Sequence, residues 1–160
     1  RCGAMDSLSK SGPDPRAVAE AMYSRDHAAI AAGMQVTHVS HGRATVTMTV
    51  RQDMVNGHNI CHGGYMALLC DTAFAYACNS YNLNTVAGGF SIEILAPAKL
   101  GDVLSATGVE QVQRGRSGVY DIKLCNQNDE VIALFRGKSA RIAGEVLPSH
   151  APSLPLQGGG

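Results

Sequence analysis

In the stretch NGHNICHGGYMALLCDTAFAYACNS, residues 56–80, one carboxylate sits inside an almost wholly apolar run: Asp71, between Cys70 and Thr72. An unpaired buried carboxylate costs several kcal/mol. Two arrangements would justify it. Thr72 or a nearby backbone group can satisfy it locally, or it can serve as a general base or nucleophile at a crevice. His62, Gly63 and Gly64 stand at the head of the same run. A helix leaves its first N–H groups without intrahelical partners, and with the helix dipole they favour developing negative charge. Glycine lets a ligand approach the backbone closely, so these donors can form an oxyanion hole for a carbonyl under attack. A tight loop requiring positive φ would explain the glycines equally well. Asn56 can hold a water or a substrate carbonyl by its amide, although Asn-Gly is first of all a turn-forming pair.

The remaining candidates carry less. His58, Cys61 and His62 have no second ligand pair at zinc-finger spacing, and HNICH lacks the first Cys of a haem attachment site, so no metal or other cofactor is expected. The five cysteines form no CxxC pair, which favours reduced, packed thiols and a cytoplasmic setting. Arg114 and Arg116 flank a turn, and Arg136 and Lys138 alternate along a strand so that both point to one face. These four read either as a solvated face or as a site for the phosphates of a carrier nucleotide. Thirteen basic against thirteen acidic residues leave no field for general nucleic-acid binding. The longest apolar run, residues 65–78, falls short of the ~20 residues a bilayer span needs and is broken by Asp71. A soluble protein is expected.

The elements that must position these groups can be read in order. Asp14 reads as an N-cap, with Pro15 at the first helical position, and a helix of two or three turns follows, continued by a second around residues 26–32. MQVTHVSHGRATVTMTVRQD alternates around His41-Gly42 as a hairpin. NGHNICHGG is loop, the apolar helix spans residues 64–80, and four strand segments complete a single domain over residues 1–160. Met5 reads as the natural start, and residues 1–12 and 147–160 as loosely held ends. A helix apolar nearly all round is buried on most sides. One such helix among antiparallel strands resembles the hotdog fold: an α+β architecture in which a curled antiparallel sheet wraps one long central helix.

Three segments carry a more specific resemblance. The quoted helix motif, with RSGVYDI and ALFRGKSARI, closely resembles the phenylacetate-degradation hotdog thioesterases, the PaaI-type family, over roughly residues 36–142. The resemblance implies a homodimer that pairs into a tetramer, no metal, and hydrolysis of acyl-CoA thioesters, especially aryl-acetyl ones. It places the catalytic carboxylate on Asp71, the oxyanion-hole backbone on Gly63 beside His62, and the Asn before the loop on Asn56. Gly64, Thr72 and the four basic residues are then expected to contact substrate. Two other functions fit parts of the sequence. A hotdog acyl-thioester dehydratase or hydratase would use His58 or His62, but the Pro-containing His motif is missing. A non-catalytic acyl-CoA-binding module would not need Asp71 and Gly63. Gly63 and Asp71 are eight residues apart, roughly 12 Å along one helix. A short Asp side chain does not bridge that distance, so a site using both is expected to draw them from two antiparallel chains.

Overall fold

The computed structural model describes residues 12–148. Its first helices follow from their caps. Asp14 accepts from the Arg16 N–H at 2.9 Å and opens α1 (Pro15–Tyr23), and Asp26 accepts from the Ala29 N–H at 3.1 Å and opens α2 (His27–Ala31). The hairpin forms as expected, with β1 (Gln35–Ser40) and β2 (Arg43–Thr49) turning at Gly42, whose φ of 72° suits glycine.

The apolar run forms α3 (Gly63–Asn79). Leu69, Cys70, Ala73, Phe74, Tyr76 and Ala77 are buried along it, on more than one face. Four strands follow: β3 (Leu83–Ile94), β4 (Val103–Arg114), β5 (Ser117–Cys125) and β6 (Val131–Glu145). All six strands make one antiparallel sheet in the order β1-β2-β4-β5-β6-β3, curled about α3. This is the expected hotdog architecture.

Alternation selects the residues that meet the helix. Ala44, Val46 and Met48 of β2, Leu104 and Ala106 of β4, Tyr120, Ile122 and Leu124 of β5, and Phe135 of β6 are all buried on the inner face. Each fully buried large side chain contributes about 1.5–3 kcal/mol. At Gly137 the sheet makes room for the helix: a Cβ there would lie 2.8–3.0 Å from three atoms of the Phe74 ring. Gly137→Val is therefore expected to destabilise the fold by about 1–3 kcal/mol through overpacking. A lower denaturant midpoint at unchanged slope would register it.

One expectation about the ends needs correction. Leu147 is not loosely held: Asn82 Nδ2 donates to its carbonyl, and its own N–H donates to Asn82 Oδ1, both at 2.8 Å. The remainder of the ends, residues 1–11 and 149–160, lies outside the described residues.

Candidate active site

The head of α3 is built to spend all but one of its first donors. His62 is the N-cap, in extended conformation, and its Nδ1 accepts from the Gly64 N–H at 3.1 Å. The His62 carbonyl accepts from the N–H groups of Tyr65 at 3.0 Å and Met66 at 3.4 Å. The Gly63 N–H has no partner among the described residues. The loop before it is fixed by the His62 N–H on the Met54 carbonyl (2.8 Å) and the Cys61 N–H on the Ala98 carbonyl (2.7 Å). Neither Gly63 nor Gly64 has positive φ, so a strained turn does not account for the pair. What Gly63 provides is space: a Cβ there would lie 3.1 Å from Ile94 Cδ1.

Asp71 lies two turns further along α3, half-buried, and its carboxylate has no hydrogen bond or ion pair among the described residues. Local satisfaction by Thr72 does not occur. The Thr72 hydroxyl donates instead to the Leu68 carbonyl at 2.7 Å, and Thr72 is buried. Burial first, and the negative charge of Asp26 second, push the Asp71 carboxyl above its ordinary value. An unpartnered carboxyl raised by burial and a neighbouring charge is a candidate acid or base.

Asp26 is not a site candidate in the sequence, where it only marks the start of a second helix. In the fold its second oxygen accepts from the Tyr76 hydroxyl at 3.3 Å, which ties the α1–α2 corner to α3 and turns its charge toward Asp71. No sequence spacing links position 26 to position 71.

The other expected residues are dispersed. Asn56 Oδ1 accepts from the His58 N–H at 2.9 Å and the Ile60 N–H at 3.4 Å, so this oxygen closes the turn and the side-chain NH2 is what remains for a ligand. Arg136 and Lys138 share the outer face of the sheet, away from α3, as the alternation requires. Arg136 there makes a two-pronged ion pair with Asp121, at 2.6 and 2.8 Å. Arg114 and Arg116 are exposed at the β4–β5 turn. The Arg116 carbonyl accepts from Arg141, whose strand partner Thr85 is hydrogen-bonded to Asn79, the last residue of α3. Asn79 is sixteen residues beyond Gly63, roughly 24 Å along the helix, so this turn lies at the opposite end from the head of its own α3.

Burial pushes the thiols of Cys70 and Cys78 up to about 12, and that of Cys61 up as well, which leaves them packed and poor as nucleophiles. Among the described residues no three His, Cys, Asp or Glu side chains come together as metal ligands, and no helix is long and apolar enough to cross a membrane.

The sequence and the fold have counterparts among known proteins. The profile of the Thioesterase superfamily matches residues 58–133. The acyl-coenzyme A thioesterase PaaI of Escherichia coli (strain K12) is 49% identical over 128 residues, which cover 80% of this chain and 91% of that protein. The solved structure of the E. coli PaaI protein, from the phenylacetic acid degradation operon, superposes with a TM-score of 0.81 at 48% identity, covering 82% of this chain and 96% of that one. A hypothetical thioesterase protein from Streptococcus pneumoniae TIGR4, solved with coenzyme A, superposes with a TM-score of 0.73 at 26% identity, covering 78% of this chain and 98% of that one.

Proposed function

This chain belongs to the thioesterase superfamily, and within it to the PaaI acyl-coenzyme A thioesterases, and on that premise we propose that it hydrolyses aryl-acetyl-CoA thioesters to the free acid and CoA, using Asp71 and the Gly63 N–H. The observation that carries this reading is the pairing of one unspent donor at the head of α3 with one unpartnered carboxylate in its middle. The Gly63 N–H takes the developing charge on the thioester oxygen. The Asp71 carboxylate either removes a proton from the attacking water or attacks the carbonyl carbon itself, giving a mixed anhydride that water then cleaves. In both routes the C–S bond breaks and the sulfur leaves as CoA thiol. The side-chain NH2 of Asn56 helps to hold the carbonyl or the water.

The site is completed by a second chain. Gly63 and Asp71 are too far apart along one helix to meet on one carbonyl. β3 is an edge of the sheet, twelve residues long and mostly exposed, and a long open edge is a template for pairing with another chain. Antiparallel pairing through β3 would set the head of one α3 beside the middle of the other, giving two equal sites per homodimer. The same arrangement would carry Arg114 and Arg116, at the far end of one α3, toward the head of its partner, where they would meet the CoA phosphates. The aryl-acetyl preference is supported by the phenylacetic acid setting of the E. coli relative, and CoA by the S. pneumoniae structure. A dimer of dimers in the cytoplasm completes the reading.

The test is a thiol-release assay with acetyl-, butyryl- and phenylacetyl-CoA. Free CoA released fastest from the phenylacetyl thioester supports the proposal. A change in double-bond absorbance without thiol release would mark a hydratase instead, and binding without turnover a carrier module.

A further inference from the structure

β3 runs antiparallel to α3 and is pinned to it at both ends. At one end Asn79 Nδ2 donates to the Thr85 carbonyl, and the Thr85 N–H donates back to Asn79 Oδ1, both at 2.9 Å. At the other end Ile94 Cδ1 sits against Gly63. Phe90, Ile92 and Ile94 pair with Gly137, Phe135 and Ala133, all on the buried inner face of β6, so their side chains also point inward. Inner-facing residues of a wrapped sheet should be covered by the helix. Phe90 and Ile94 are nevertheless 50% and 46% exposed.

Their level along the helix gives this apolar strip its meaning. Ile94 is level with Gly63. Phe90 is four strand residues away, about 13 Å, which corresponds to roughly nine residues of helix and brings it level with Asp71. The strip therefore runs between the level of the unspent donor and that of the unpartnered carboxylate. The Phe90 ring is also preset. It stacks on Phe135 with centroids 4.7 Å apart and planes at 27°, and Phe135 is tilted against Phe74, the ring that Gly137 admits. A ring held from behind by a stack of fixed rings offers its open side to another ring at low entropic cost.

We propose that Phe90, with Ile94 beside it, forms the wall that receives the aromatic ring of the acyl group, and so sets the preference for aryl over small aliphatic thioesters. The proposal rests on the thioesterase reading of Gly63 and Asp71. The occupant is an aromatic acyl group because the strip is apolar, carries an aromatic face, and adjoins the two groups that would act on a carbonyl. A second copy of the chain as the sole occupant of Phe90 is one outcome of the test.

The experiment measures the ratio of kcat/KM for phenylacetyl-CoA to that for acetyl-CoA in wild type, Phe90→Ala and Phe90→Leu, with assembly mass followed by light scattering. The ratio is expected to fall about tenfold in Phe90→Ala, and less in Phe90→Leu, at unchanged mass. An unchanged ratio, whether both activities hold or both fall together, overturns the proposal and shows Phe90 to be packing or interface. If the alanine variant fails to fold or assemble, Phe90→Leu decides alone: a selective fall supports the proposal, and a parallel fall or none overturns it. Wild-type protein that releases no thiol from either substrate defeats the thioesterase reading and this proposal with it. Normal wild-type turnover with an unchanged ratio defeats only the role of Phe90.

Discussion

Asp71→Asn is expected to lower kcat/KM by about 10²–10⁴-fold while leaving the fold intact. Asn is nearly isosteric with Asp but neither accepts a proton usefully nor attacks a carbonyl. The site supplies no substitute: Thr72 is buried with its hydroxyl on Leu68, and Asp26 is held by Tyr76 and the Ala29 N–H. The same substitution should raise stability at pH 7. Burial lifts the folded-state pKa of Asp71 above the ordinary value of 3.8, so the folded protein holds that proton more tightly than the unfolded chain does. The contribution from this group is fully present below the unfolded value and is lost as the pH rises through the folded one. The gain from Asn should therefore be present at pH 7 and vanish below about pH 4. In wild type, activity should fall on the acid side at a pH above that of an ordinary aspartate, because the reacting form is the carboxylate. Loss of activity with a gain in stability separates a functional carboxylate from a structural one. A variant with near wild-type turnover would remove Asp71 from the reaction.

Gly63→Pro should cost about 10²–10³-fold in kcat, the effect of deleting one oxyanion donor. The site suits this test. Gly63 is the first residue of α3, where proline is well tolerated. His62 before it has φ −61° and ψ 134°, the extended conformation that a residue preceding proline prefers. The main steric neighbour of the new side chain is the mobile end of Ile94. Gly63→Ala meets the same neighbour but keeps the N–H, and it should retain most of the activity. Equal losses in the two variants would indicate crowding rather than a lost donor.

The legible parts of this protein are those set by local chemistry. The Asp14 cap with Pro15, the all-round apolarity of residues 64–80 and the Gly42 turn each predict an element the structure contains. The family resemblance points to Asp71 and Gly63 for the reaction, and the sequence by itself marks both as unusual. Harder to read were properties that depend on partners distant in the chain. Arg136 looked available for a phosphate until β5 brought Asp121 opposite it. Asp26 reaches the environment of Asp71 only because the α1–α2 corner packs on Tyr76. Phe90 is hidden in the sequence for a third reason. In β3 the register shifts between Ala87 and Gly89, so the side-chain alternation is reset in mid-strand. TVAGGFSIEI alone does not tell which of its residues face inward.

The central claim, one carbonyl held between Gly63 of one chain and Asp71 of another, is tested most directly by a verified mixed dimer. Asp71→Asn chains and Gly63→Pro chains carry different affinity tags, and species containing both are isolated and assayed. Each parent homodimer lacks one required group at both sites and should be nearly inactive. In the mixed dimer one site takes Asp71 from the Gly63→Pro chain and the N–H from the Asp71→Asn chain, so activity should return to about half that of the wild-type dimer, one good site of two. A verified mixed dimer no more active than its parents would contradict the shared site, because every site confined to a single chain would still carry its own defect.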